Sequence, residues 1–268
     1  MKDSIRICMF RHPGLRMLCL AVIATAPALN QPGSAPGFEG DGGSFPFAER
    51  LVYRVEWRLI TAGTANLDLK SAPDRKWQTS LNIQSAGVLS RVYRVLDTYN
   101  VTTDSKFCLL NSDLDAQENK RHVVTRAWVE NSTKLRHEEK DVINNSTVQN
   151  ELNVPPCTRE IAGALASLRL LRLEPGKSIN IPITDGKKVV SARIESQARE
   201  SISFEGKKYE TMRYEAFLFD NVLYRRKGRL FVWVTEDAER IPVQIRIQLG
   251  FPIGNVTIQL EKQQRSPG

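Results

Sequence analysis

LVYRVEWRLITAGTANLDL, residues 51–69, is the stretch whose reading decides the fold class. Leu51, Tyr53, Val55, Trp57 and Leu59 occupy alternate positions, with Arg54, Glu56 and Arg58 between them. A period of two puts the apolar side chains on one face of a β-strand and the charged ones on the other. The same spacing resumes at Ala65, Leu67 and Leu69, so Thr61-Ala62-Gly63 reads as the turn of a hairpin. Trp77, Thr79, Leu81 and Ile83 supply a third strand. This opening predicts an antiparallel meander with one dry face and one wet face.

Downstream, the rhythm breaks twice. Val88, Leu89, Val92, Val95 and Leu96 have helical spacing and predict a short helix over about 87–96. Thr158 can cap a longer helix, about 158–173, with the stripe Ile161, Ala164, Leu165, Leu168 and Leu171. Arg169 and Arg172 fall opposite that stripe, and Pro175-Gly176 stops the helix. Either stripe could touch a membrane, but both are expected to bury against the sheet. Residues 98–153 read as polar strands with turns at Asn111-Ser112-Asp113 and Asn144-Asn145. Strand-like runs recur at 178–183, 188–196, 209–219, 229–235, 241–249 and 255–262, with turns at Asp185-Gly186 and Glu205-Gly206. The expected fold is mainly β: a large curved antiparallel sheet or incomplete barrel, with the main helix on its concave side.

Upstream, Lys2, Arg6, Arg11 and Arg16 precede an apolar run from Met17 to Ala26, followed by Ala26-Pro27-Ala28. Basic residues, a short apolar run and small residues are the layout of a cleaved signal peptide, here 1–28. The run falls short of the roughly 20 residues that span a bilayer, so no transmembrane helix is expected in the mature chain. Leu18 before Cys19 does not fit a lipoprotein site, and Met9 is an alternative start. Residues 29–44, rich in Gly, Pro and Ser, read as a spacer, and 45–263 as a single domain. The expected location is periplasmic or secreted. The chain has 268 residues, a net charge of +8 and four cysteines. Only Cys108 and Cys157 follow the leader, and an even pair in an exported chain predicts a disulfide. The mature part, 240 residues at net +5, suits an anionic envelope surface.

No catalytic signature stands out. There is no G-x-S-x-G elbow around any serine, Ser90 included. His137-Glu138-Glu139 lacks the second histidine of a zinc motif, and His122 belongs to no ligand array. Glu236-Asp237 reads as a hairpin tip, where neighbouring acids point opposite ways. No cofactor or metal is implied. Arg225-Arg226-Lys227 with Arg229, beside Tyr224, Phe231 and Trp233, has the composition of a nucleic-acid stacking surface. Export argues against nucleic acid as a partner and leaves lipid headgroups or a solvated basic strand.

In the C-terminal half, Arg226-Lys227-Gly228-Arg229-Leu230 runs into Trp233-Val234-Thr235-Glu236-Asp237 and then Arg240-Ile241-Pro242-Val243. Together with Tyr53, Trp57, Ala62-Gly63-Thr64-Ala65 and Leu173-Glu174-Pro175-Gly176, this order resembles the bacterial envelope family called Domain of Unknown Function 3108, over residues 47–262. The resemblance implies an exported, mostly β protein with no established enzymatic activity, and carries over no catalytic residues. Its shared residues read structurally. Gly63 and Gly228 permit turns or bulges. Trp57 and Trp233 fill a core, Pro242 marks a strand start, and Arg240 pairs with Asp237 across the hairpin end.

The expected function is a non-enzymatic envelope protein that binds an apolar ligand, such as a lipid or acyl chain, or a partner protein. Leu165 and Leu168 are the candidate ligand-facing residues. Two alternatives stand beside it: a secreted hydrolase of envelope polymers, and a purely structural interaction scaffold. A dry cavity favours the carrier, and converging acids with a raised carboxyl pKa favour the enzyme.

Overall fold

The computed structural model describes residues 48–266; the expected leader, the spacer and the start of the domain lie outside them. Fourteen antiparallel strands form one sheet. The opening hairpin pairs β1 (Ala48–Trp57) with β2 (Ile60–Ala72), and β3 (Lys76–Ser85) continues it. Its turn, however, is Arg58-Leu59, both at positive φ, and Thr61 to Gly63 already lie in β2. Val55 pairs with Gly63 and Glu56 with Thr61, so Ala62 is the extra residue of a β-bulge. Gly63 is needed there because a Cβ would sit 2.1 Å from the Gln84 carbonyl oxygen on β3.

From β3 the chain passes through helix α1 (Gly87–Val92) into β4 (Val95–Thr103), β5 (Leu109–Glu118), β6 (Arg121–Glu130), β7 (Lys134–Asp141) and β8 (Ser146–Asn153). Asn111 to Asp113 lie inside β5 instead of forming a turn, whereas Asn144-Asn145 sit in the β7–β8 connection. After helix α2 (Ile161–Ser167) and a 3-10 turn (Leu168–Leu170) come β9 (Ser178–Thr184), β10 (Val189–Phe204), β11 (Lys207–Ala216), β12 (Gly228–Thr235), β13 (Pro242–Leu249) and β14 (Asn255–Ser266). β14 returns to pair with β1, leaving β8 and β9 as the two edges.

The seam between those edges is crossed by the strap 154–160. Its Thr158 carbonyl accepts from Leu109 N at 2.9 Å, and Arg159 exchanges backbone hydrogen bonds with Pro182 and Thr184 on β9. A disulfide from Cys108 to Cys157, Cα atoms 4.5 Å apart, fastens the strap to the start of β5. Closing a loop of 49 residues contributes about 4 kcal/mol in the chain-entropy description. The sheet is therefore an incomplete barrel, its seam tied by a strap.

α2 is shorter than its sequence pattern and starts later. The Thr158 hydroxyl bonds back to the Pro155 carbonyl, and the helix cap is Glu160, which accepts from Gly163 N at 2.5 Å. Its small residues Ala162, Gly163, Ala164 and Ala166 are buried, which lets the helix lie close inside the sheet. Arg169, expected to face water, is buried and ion-paired at 2.5 Å with Glu49. Its Nη2 also donates to the Glu239 carbonyl at 2.9 Å. Desolvating such a pair is costly, and breaking one partner costs roughly 3–5 kcal/mol. This network fixes the end of the helix to β1 and to the β12–β13 connection. α1 behaves oppositely: none of its residues is buried, and Val88 and Val92 face solvent.

Candidate functional site

The concave face does not fill completely. A cavity of about 290 Å³ lies between the sheet and α2, lined chiefly by apolar side chains. One wall is Val55 and Trp57 of β1 with Leu81 and Ile83 of β3. The same wall continues through Val256 and Ile258 of β14, the direct partners of Trp57 and Val55, to Ile245 and Ile247 of β13 and Val232 of β12. α2 closes the base with Ile161 and Leu165, and Leu168 follows from the 3-10 turn. At the other end Leu89 of α1 and the exposed Lys187, both in connections between strands, line the cavity where it meets the surface. A well-packed interior holds few voids larger than a water molecule, and ligand pockets begin at roughly 300 Å³. This space is on the scale of a ligand site.

A polar patch interrupts the lining near the seam. Glu160, His137, Glu139, Thr125 and Asp185 all border the cavity. Lys187 pairs with Glu139 at 2.9 Å, and Asp185 accepts from the backbone N–H groups of Lys187 and Lys188, each at 3.0 Å. Gly186, at φ +85, lies so close to the His137 ring that a Cβ would meet its Cδ2 at 2.1 Å. Burial pushes the Glu160 carboxyl above its ordinary range, against the pull of the Ala162, Gly163 and Ile161 N–H groups. Burial likewise pushes the Tyr224 phenol up, with further contributions from Asp185 and Glu160. No group of three metal-ligating side chains occurs among the described residues. Glu160 is engaged as the cap of α2, which ties it to positioning the helix.

The candidate ligand-facing pair, Leu165 and Leu168, both border the cavity. Leu165 is half-buried and Leu168 fully buried. Trp57 also borders it, and its indole N–H donates to the Ile253 carbonyl at 2.8 Å. Tyr53 is buried below, donating to the Pro242 carbonyl at 2.9 Å, where Pro242 begins β13. Trp233 lies elsewhere. It pairs with Arg213 and Gln244 on the convex face, under Arg246 and with its indole N–H on Glu200 at 2.8 Å. It is buried there because the far half of the β10–β11 hairpin bends over that face, setting Phe204 under Arg54 of β1.

Gly228 opens β12, where a Cβ would meet the Gln248 carbonyl at 2.8 Å, and Lys227 is exposed beside it. Asp237 and Arg240 do not pair through their side chains. Asp237 accepts from the Thr235 hydroxyl and from the Glu239 and Arg240 backbone N–H groups. The Arg240 guanidinium turns inward to the carbonyls of Thr235 and Leu171 and the hydroxyl of Tyr214.

The polar patch was not legible as a unit, since Glu139, Glu160 and Asp185 come from β7, the strap and the β9–β10 turn. The one local signal for Glu160 is its position three residues before Gly163, at the head of a run of small helix formers.

A family model described as "Protein of unknown function (DUF3108)" matches residues 52–261. No curated protein matches the chain. Among solved structures, the chain is similar to a β-barrel-like protein of Domain of Unknown Function DUF1849 from Brucella abortus. The TM-score is 0.56 at 10% identity, over 83% of this chain and 99% of that one. That likeness shows the fold alone. A DUF1329 family protein from Desulfovibrio piger ATCC 29098 aligns over 85% of this chain and 89% of that one, at 6% identity and a TM-score of 0.25, too low to carry an argument.

Proposed function

Since the chain belongs to the DUF3108 family, whose function is unknown, we propose from its cavity that it is an exported, non-catalytic envelope protein enclosing an apolar ligand, a lipid or acyl chain. The observation that carries this reading is the apolar space of about 290 Å³, floored by a helix and entered from one rim. Burying an acyl chain there removes its methylenes from water, worth about 0.8 kcal/mol for each one fully buried. The Cys108–Cys157 disulfide supports export, because such bonds persist in oxidising compartments.

Titration with a fluorescent fatty-acid probe tests the proposal. Saturable uptake by the wild-type protein is expected, and Leu165→Trp, which fills the cavity from its floor, abolishes it while unfolding stays cooperative. If the wild type takes up no probe, the carrier reading fails and a partner-protein scaffold replaces it.

One observation favours the hydrolase alternative: the raised carboxyl of Glu160 borders the same cavity as Glu139 and Asp185. Its use as the helix cap weighs against a role in proton transfer. Hydrolysis of a peptidoglycan or polysaccharide substrate that Glu160→Gln abolishes would reinstate the enzyme.

A further inference from the structure

Because every strand pairs antiparallel, the connections fall into two rims. The β1–β2, β3–β4, β5–β6, β7–β8, β9–β10, β11–β12 and β13–β14 connections share the rim where the cavity opens. They carry nine lysines and arginines against two acids, Asp185 and Asp220. The opposite rim, with the strap and α2, carries seven basic residues against eight acids. The excess positive charge of the connections is therefore concentrated at the mouth.

Exposed apolar side chains follow the same asymmetry. Of ten large hydrophobic residues exposed among the described residues, eight lie in the mouth connections or within two residues of them. Leu59 is 93% exposed at the β1–β2 turn, Phe251 96% at the β13–β14 turn, and Val88 73% on α1. None lies in a connection of the opposite rim. Apolar side chains clustered on one surface mark an interaction site. Apolar tips that enter the acyl boundary, ringed by lysine and arginine, have the chemistry of binding to an anionic membrane.

We propose that the mouth rim docks on an anionic lipid bilayer, with Leu59, Val88 and Phe251 inserted and Arg225, Arg226 and Lys227 against the headgroups. The inference goes beyond the cavity reading and does not need a bound ligand. Docking in this orientation faces the opening toward the bilayer, so that an acyl chain passes between lipid and cavity without crossing water.

Vesicle co-sedimentation tests it, using the protein recovered from outside the cytoplasm of its host with whatever N-terminus it then carries. Binding to vesicles of equal phosphatidylglycerol and phosphatidylcholine is expected, with little to phosphatidylcholine alone and steep weakening by salt. Arg225→Gln with Arg226→Gln and Lys227→Gln should weaken it on the order of ten- to a hundredfold. Leu59→Ser with Phe251→Ser should weaken it as well, the side chains being too exposed to support the fold. Lys207→Gln with Lys208→Gln, exposed at the far rim, should leave binding unchanged. Absence of vesicle binding, equal binding to both vesicle types, or equal loss from the far-rim pair overturns the proposal. Probe uptake measured without vesicles on the same proteins reads the cavity separately, so the two failures are distinguishable.

Discussion

The Arg240 guanidinium donates a 2.6 Å hydrogen bond to the carbonyl of Leu171, 69 residues away in sequence. The bond joins the β12–β13 connection to the chain just after the α2 segment. Arg169 makes the reciprocal contact, from the 3-10 turn to the Glu239 carbonyl. Two buried arginines thus hold the cavity floor against one hairpin end.

Replacing Arg240 should accordingly loosen the floor. Arg240→Met leaves the Leu171 and Thr235 carbonyls and the Tyr214 hydroxyl without that donor in a buried site. Each buried group left unsatisfied costs about 1–3 kcal/mol, so a loss of about 2–4 kcal/mol overall is expected. Urea unfolding measures it, with the exposed Arg91→Ala as the near-neutral comparison. An unchanged midpoint in Arg240→Met would show that Arg169 alone secures the helix.

Glu160 predicts a pH dependence. Its folded carboxyl holds its proton more tightly than the unfolded chain does, whose ordinary value is 4.5. As pH rises above that ordinary value the unfolded chain ionises first, so this group's contribution to stability falls up to the folded pKa and is constant beyond. Glu160→Gln keeps an acceptor for the Gly163 N–H but cannot ionise. The variant should therefore gain on the wild type as pH is raised from 4 to 7, in urea midpoints taken at each pH. A difference that does not change with pH would show that burial does not raise this carboxyl's pKa in the folded protein.

Alternation made the sheet legible, because one buried face forces apolar side chains to every second position. Tyr53 and Leu67 obey it. Conformations set by distant contacts were less legible. Arg58 and Leu59 form the first turn at φ 48 and 68, a region in which such side chains are uncommon. Arg58 is held there by hydrogen bonds to the Ile253 and Pro252 carbonyls of the β13–β14 turn. Helical spacing in α1 looked like a buried stripe, but its connection lies on the rim, where among the described residues none of its side chains is buried. Trp233 is a buried core residue as its sequence position suggested, but its cover, the bent β10–β11 hairpin, is remote from it in sequence and was not legible. The Cys108–Cys157 bond was legible from an even cysteine count together with the expectation of export. The cavity itself had no sequence signature: it is the volume left when a narrow, alanine-rich helix sits inside a widely curved sheet.

That leftover volume makes Trp57 a reporter. Of the four tryptophans, Trp57 borders the cavity, Trp77 stacks on Phe107, Trp128 is exposed on β6, and Trp233 lies on the convex face. A brominated fatty acid quenches indole emission only at close contact, so bound in the cavity it should quench Trp57 and spare the other three. Saturable, partial quenching is expected in the wild type. Trp57→Phe should abolish the saturable component, and Trp233→Phe should leave it intact while lowering total emission. Trp57→Phe loses the hydrogen bond to the Ile253 carbonyl, worth about 0.5–1.5 kcal/mol, so the fold should survive and the loss of quenching report the site. Quenching that persists in Trp57→Phe and vanishes in Trp233→Phe would move the apolar ligand to the convex face, beneath the β10–β11 hairpin.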